Sequence, residues 1–368
     1  MKIKRLLKWS LGAILLVLLG WLFVAYWMST NDCNQNAANP NNPMKAIVNC
    51  EYGVENLQLR EIEKPTPADN EVLVRVRAAS INPADGHLIR GVWLMRPMLG
   101  MRKPKNTRFG TDFAGIVEAV GKNVADFKAG DEVFGAAKGA VADYIRVKAD
   151  RGIVSKPSNI TFEQAGSVAI AGLTALQGLR DKGHIQTGPK VLLNGASGGV
   201  GTFAVQIAKA FGAEVTAVCS TRNVDLVKSI GADHVIDYTK EDFTKTDQHY
   251  DMIYDLVGNH SFSERRQILT PNGICVLAGM GGAGLHPESW GRLIANFSAA
   301  FRSNFTPQKF VTYIAKLTKE DLDVLRDLMQ SGKVSPVIDR TYKLDQTQAA
   351  VRYLEEGHAH GKVVIVME

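Results

Sequence analysis

Residues 191–201 read VLLNGASGGVG, the end of an apolar strand running straight into four glycines, Gly195, Gly198, Gly199 and Gly201. Glycine loses more backbone freedom on folding than any other residue, so four of them in one turn need a reason. A strand that feeds a helix through such a turn sets the helix's unpaired N–H groups at the strand's carboxyl end, where they can hold a pyrophosphate. Side chains there would obstruct it. Ala196, Gly198 and Gly201 occupy the three positions of a G-x-G-x-x-G motif, with alanine for the first glycine, and Ser197, Gly199 and Val200 complete the loop. The motif alone is weak. Here it follows a strand, opens a helix and precedes a second strand ending near Ser220, about 20 residues on, the spacing at which a ribose is read.

The tip of that second strand, CSTRN, selects the nucleotide. An NAD site places Asp or Glu there to accept the 2′-hydroxyl, and a carboxylate repels a 2′-phosphate. Ser220, Thr221, Arg222 and Asn223 offer hydroxyls and a guanidinium instead, groups suited to phosphate. NADP(H) is therefore the expected cofactor. The plainer reading of Arg222 is a solvated surface charge.

Outward from the glycine loop, strand and helix alternate. TFEQAGSVAIAGLTALQGL reads as helix, with Thr161 as N-cap and Gln164 three residues on. KVLLN, EVTAVCS, HVIDY, YDMIYDLVG and GICVLAG then alternate with helical stretches, which predicts a doubly wound parallel sheet over residues 163–333. Residues 44–162 have a different texture, with short alternating strands such as EVLVRVRAASI and FAGIVEAVG punctuated by glycine, and predict a barrel-like all-β unit. The tail, residues 334–368, returns to strand texture and is expected to complete that first unit.

Residues 11–28, LGAILLVLLGWLFVAYWM, carry no charge. About 20 apolar residues cross a ~30 Å hydrocarbon core, so with Leu6, Leu7 and Trp9 the segment is long enough to span. The end reads AYWMSTND, without a small-x-small cleavage site, and residues 1–28 are expected to be a single-pass transmembrane anchor with Trp21, Tyr26 and Trp27 in the interfacial belt. Residues 29–43, rich in Asn and Pro, read as a tether. Lys2, Lys4, Arg5 and Lys8 place the N terminus in the cytoplasm and the enzyme outside. The cofactor argues for the cytoplasmic side.

The composition, 45% hydrophobic and 22% charged over 368 residues, is that of a globular chain with a sizeable core. Half of the net charge of +6 precedes residue 44, so the remainder is too nearly neutral to argue for nucleic acid. Four cysteines without a CxxC pair predict neither a disulfide framework nor a zinc ribbon. Cys219 and Cys275 read as buried strand residues, and only Cys33 and Cys50 remain free to meet. The absence of a paired framework leans towards the cytosol.

NGASGGVG, SIGADHVIDY, GTDFAGIVEAVG and GHAHGKVVIV together resemble the medium-chain dehydrogenase/reductase superfamily, in its zinc-free quinone oxidoreductase-like branch, over residues 44–368. The resemblance implies a GroES-like catalytic domain, a Rossmann cofactor domain and a substrate cleft between them. It implies that Asn82 lies near the nicotinamide ribose and that Val257, Gly258, Gly279, Gly361 and Lys362 line the cofactor groove, with Tyr238, at the end of SIGADHVIDY, also on the cofactor. Zinc-dependent members carry a cysteine in the loop that reads INPADGH here and a histidine after the glycine of GTD, where this chain has Asn82 and Thr111. His87 and Asp112 could still serve as zinc donors, but no metal is expected.

Related enoyl thioester reductases place a tyrosine proton donor where LIRGVW puts Trp93, and indole is no general acid. Asp85, His87 or a bound water are left as donors, although a histidine such as His87 is more often a surface or packing residue. The expected activity is hydride transfer from NADPH to an electron-poor C=C or C=O of a small lipophilic quinone, enone or enal. A weakly active NADPH-binding structural protein, or a metal-free alcohol dehydrogenase or enoyl reductase, is the alternative. In HPESWGRLIANFSAAFRSNFTPQKF, residues 286–310, Trp290, Ile294, Phe297, Phe301 and Phe305 share one helix face. That stripe is expected to pack on the sheet or a homodimer partner, the sharper alternative being a lid that touches the bilayer beside Arg292, Arg302 and Lys309.

Overall fold

The computed structural model describes residues 40–92, 96–278 and 287–367, together with Gly20, Phe23, Val24, Tyr26, Trp27, Thr30, Asn31 and Cys33. The chain opens with an antiparallel pair, β1 (Pro43–Asn49) and β2 (Leu57–Glu63), then the long β3 (Glu71–Ile81). Two short helices follow, α1 (Pro83–Arg90) and α2 (Arg96–Leu99). Next come β4 (Asp112–Val120), β5 (Glu132–Ala136), β6 (Tyr144–Lys148) and β7 (Ile153–Ser155). Strand β3 pairs antiparallel with β4 along one edge and β6 along the other. Its alternate residues Val72, Val74 and Val76 are buried with Phe113, Ile145 and Val147 in one core, the period-two signature of a strand with one face inside.

Thr161 caps α3 (Phe162–Ala165) by accepting from Gln164 N at 3.2 Å, while the Gln164 side chain accepts from Thr161 N at 3.0 Å. Helix α4 (Ala169–Gln177) leads into the second sheet, built from β8 (Lys190–Asn194), α5 (Gly199–Ala210), β9 (Glu214–Cys219), α6 (Val224–Ser229) and β10 (His234–Asp237). Then follow β11 (Tyr250–Asp255), α7 (Phe262–Gln267), β12 (Leu269–Leu277), α8 (Pro287–Arg302) and β13 (Lys309–Thr312). All neighbours run parallel in the order β10-β9-β8-β11-β12-β13. Val191, Leu192 and Leu193 are fully buried because β8 is covered on both faces. The strand order reverses between β8 and β11, so the carboxyl ends of these two strands flank the ligand crevice.

After α9 (Lys319–Gln330) the chain leaves this sheet. Strand β14 (Ile338–Lys343), α10 (Thr347–Glu355) and β15 (Lys362–Val366) return to the first sheet, where β15 lies between β14 and β3. An isolated parallel bridge, Gly198 with Gly361, joins the two sheets.

Three expectations change, those for the cysteines, the tether and the α8 stripe. Cys33 and Cys50 form a disulfide across a separation of 17 residues, although their spacing predicted no framework, and the lean to a reducing compartment goes with it. Cys33 is held by more than its sulfur. It is buried against Met44, Ala46, Val48 and Ile62, and Asn31 donates to the Cys50 carbonyl at 2.8 Å, so part of the supposed tether is structure. Most of the uncharged segment, 11–28, lies outside the described residues; Gly20, Phe23, Val24, Tyr26 and Trp27 are helical and exposed. Among the described residues no helix is long and apolar enough to cross a membrane. The stripe on α8 does not pack on the sheet, since Ile294, Phe297 and Phe301 are exposed while Asn296 and Ala299 face inward.

Candidate active site

The glycine loop does two separate jobs. A Cβ on Gly201 would collide with the Gly195 carbonyl oxygen, and Gly195 itself has φ +88, so these two glycines let α5 close onto β8. Gly198 is different. A Cβ there would meet nothing nearer than the Gly195 carbonyl at 3.6 Å, so the protein itself does not require glycine at the N-cap of α5. That open space at a helix N terminus fits the pyrophosphate of a dinucleotide.

Around the loop the predicted residues converge. Asn223, buried at the tip of β9, donates to Ser197 Oγ at 2.9 Å and Ser220 Oγ at 3.3 Å, which ties the end of β9 to the glycine loop. Thr221 and Arg222 are exposed, and Arg222 donates across to the His358 carbonyl at 3.0 Å. Tyr238 stands exposed just past β10. Beside them lies a carboxylate that sequence reading missed: Asp237 accepts from Thr221 Oγ1 at 2.6 Å. The hydroxyls of Thr221 and Thr239 and the ammonium of Lys240 hold its carboxyl well below the ordinary range, against the cost of burial.

On the other flank, Asp255 ends β11 and its Oδ1 accepts from Val257 N at 3.0 Å, Gly258 N at 2.9 Å and Asn194 Nδ2 at 2.8 Å. Its Oδ2 makes ion-pair contact with the buried Arg265 Nε at 3.1 Å, without hydrogen-bond alignment. This carboxylate shapes the Val257–Gly258 turn at the switch point. Gly279 and Trp93 lie outside the described residues.

The Gly198–Gly361 bridge brings the start of β15 to the loop, and Lys362 follows. Its buried ammonium donates to Asn82 Oδ1 at 2.6 Å and Asp112 Oδ2 at 3.3 Å. Asp112 also accepts from Ser80 Oγ at 2.9 Å, Asn82 Nδ2 at 3.1 Å and, through Oδ1, Ile170 N at 3.0 Å. The sequence signal for this hub was one acid in GTD, considered only as a zinc donor. Its oxygens are taken by four donors. Among the described residues no group of three or more His, Cys, Asp or Glu could hold a metal ion.

Asp85 is also buried. One oxygen accepts from Asn82 N at 2.8 Å and closes the first turn of α1, and the other meets Thr111 Oγ1 at 3.3 Å. Burial, opposed by the Asn82 amide and reinforced by Asp112, pushes its carboxyl up to about 6. His87 sits apart from this cluster: its charged neighbour is Glu355 of α10, burial lowers its pKa, and its Nδ1 has no hydrogen-bond partner among the described residues.

A parallel sheet with strand order 3-2-1-4-5-6, a glycine loop at its switch point and a polar cluster delivered by a second, mostly antiparallel sheet define a two-domain dehydrogenase of the dinucleotide-dependent class. Comparison with known proteins narrows the class. Residues 68–158 match the alcohol dehydrogenase GroES-like domain, and residues 230–365 match the family described as zinc-binding dehydrogenase. The chain is 32% identical to the chloroplast envelope quinone oxidoreductase homolog of Arabidopsis thaliana, over 85% of this chain and 94% of the relative. It is 32% identical to the chloroplastic NADPH-dependent alkenal/one oxidoreductase of the same plant, over 88% of this chain and 79% of the relative. The Escherichia coli quinone oxidoreductase complexed with NADPH superposes with a TM-score of 0.73 at 27% identity, covering 88% of this chain and all of that one. The chain belongs to the quinone oxidoreductase-like branch of the medium-chain dehydrogenase/reductase superfamily.

Proposed function

We propose that the protein reduces the electron-poor C=C or C=O bond of a small lipophilic quinone, enone or enal with NADPH, without zinc. The observation that carries this reading is the meeting, at the Gly198–Gly361 bridge, of an open phosphate loop with the buried Asn82–Asp112–Lys362 cluster. NADPH, when bound, supplies the hydride. In this reading residues 44–162 and 334–368 form the catalytic unit and residues 163–333 the cofactor unit. Gly198, Gly199 and Val200 hold the pyrophosphate, Ser220, Thr221, Arg222 and Tyr238 surround the 2′-phosphate, and Asn82 sits beside the nicotinamide ribose.

The proton that follows the hydride needs a donor. Asp85, protonated, would donate from Oδ1 to Thr111 Oγ1, which frees the threonine hydroxyl proton for the α-carbon or oxygen of the substrate; solvent then reprotonates Asp85. The raised carboxyl pKa makes this acid available nearer neutrality than an exposed aspartate. His87, facing Glu355, packs α1 against α10. Steady-state NADPH oxidation with a panel of quinones and enals, run with and without exhaustive chelation, tests the whole reading. Absence of turnover on every acceptor, or its loss on chelation, overturns it. In wild type, kcat is expected to fall as pH rises through about 6, and the Asp85→Asn and Thr111→Val variants are expected to lose that step.

We further propose that residues 1–28 anchor the enzyme in a membrane. The support is the uncharged run 11–28, with Phe23, Val24, Tyr26 and Trp27 helical and exposed. Resistance of the full chain to alkaline carbonate extraction from membranes tests the anchor.

A further inference from the structure

Helix α8 turns Asn296 and Ala299 inward. Asn296 is buried because its Oδ1 accepts from the buried Arg265 at 3.5 Å and its amide lies against Gly258 in the cofactor turn. The opposite side follows from that constraint: Ile294 (67% exposed), Phe297 (60%), Phe301 (67%) and, one turn on, Phe305 (78%) all stand in solvent. Phe301 and Phe305 meet edge to face, with centroids 5.9 Å apart. An apolar face of this size is unusual on a surface with no partner.

Next to it is a basic cavity of about 440 Å³, lined by Phe262, Ser263, Arg266, Leu269, Arg302 and Gln308 among others. The Arg302 guanidinium lies 5.2 Å from the centre of the Phe262 ring, and Arg266 donates to Gln308 Oε1 at 3.2 Å. Neither meets a carboxylate among the described residues. Aromatic side chains on one face with cations at their edge are what an anionic lipid surface takes up.

The tether says what lies within reach. The disulfide fixes Cys33 to the end of β1, so only the stretch from Trp27 to Cys33 separates the exposed apolar helix from the folded body, a span of about 20 Å at most when extended. An enzyme held that close to a bilayer faces it constantly. We propose that α8 docks on an anionic lipid bilayer, with Ile294, Phe297, Phe301 and Phe305 in the interfacial zone and Arg266 and Arg302 on lipid phosphates. Through Asn296 the docked helix also touches the Val257–Gly258 turn. The proposal rests on the N-terminal anchor for proximity alone.

The test uses the full chain reconstituted into phosphatidylcholine vesicles with and without phosphatidylserine, carrying an environment-sensitive fluorophore on a Phe301→Cys substitution. Flotation reads the anchor, and quenching by headgroup-depth nitroxide lipid reads α8. The expected result is flotation in both vesicle types and lipid quenching that is strong with phosphatidylserine. The docking equilibrium should weaken by about fivefold for each of Arg266→Gln and Arg302→Gln, and quenching should be lost in a Phe297→Ser, Phe305→Ser background. NADPH binding by each variant, unchanged, shows that the fold is intact. Flotation without lipid quenching overturns the docking and leaves the anchor standing, whereas failure to float overturns the anchor and the docking together. A label shielded from aqueous and lipid quenchers alike, in a particle of doubled protein mass, overturns the proposal by making a second copy of the chain the occupant.

Discussion

At the scale of single residues, Gly198 gives the sharpest contrast. A Cβ there meets only the Gly195 carbonyl, at ordinary contact distance, so Gly198→Val is expected to leave thermal stability nearly unchanged while abolishing NADPH binding, a pairing of outcomes that calorimetry and titration can read on one sample. Loss of stability together with binding would make it a packing glycine like Gly201. Arg222 is expected to confer at least tenfold preference for NADPH over NADH, about 1.4 kcal/mol, and Arg222→Ala to remove most of it; equal dissociation constants in the wild type would return Arg222 to a surface charge tied to His358. Asp85 carries a pH signature in stability. Its folded pKa is raised, so the native state binds the proton more tightly, and the penalty for its charge grows as pH rises from about 4 through about 6. Asp85→Asn removes that penalty, and its stability relative to wild type is expected to improve by up to about 3 kcal/mol between pH 4 and pH 7 in urea titrations. The glycine loop was readable as a strand-to-helix turn because its signal is local in sequence. Asp112, Asp237 and Asp255 were not, because a carboxylate becomes a hub only when distant strands aim donors at it.

Elements were legible where period and punctuation agreed. The Thr161–Gln164 capping box, the apolar β8 and the alternation from β8 to β13 all declared themselves, because a strand buried on both faces and a helix cap need particular residues in sequence order. Helix α8 declared its period and concealed its direction. An apolar stripe ordinarily faces the core, but here Asn296 is committed inward to Arg265 and Gly258, and that single polar anchor rotates the aromatic side outward. The disulfide was hidden for a related reason: a lone pair of cysteines flanking an Asn-rich stretch has no pattern, and only the packing of Cys33 beside Met44 and Ile62 brings it to Cys50. Closing a loop of 17 residues is expected to contribute about 3 kcal/mol. A Cys33→Ser, Cys50→Ser variant should melt correspondingly earlier, and reductant should shift the wild type but leave the variant where it is. A wild type indifferent to reductant would deny the cross-link a role in stability.

For the whole molecule, NADPH is expected to act as a clasp between two sheets, raising the melting temperature as a function of its concentration, with Lys362→Met weakening both binding and stability because it strands Asp112 in the interior without its cation. The wiring behind that expectation also sets an order of events. Strand β15 lies between β14 and β3 in the first sheet, and Gly361, just before it, bridges to Gly198 of the glycine loop. During synthesis, then, β3 is made early and waits for a neighbour almost three hundred residues away, and contacts of such separation are slow to form. Strand β15 must be synthesised before the glycine loop gains its bridge to Gly361. A stop codon ahead of Gly361 would not yield a shortened enzyme; it would leave β3 with an open edge, a species for chaperones and proteases to handle.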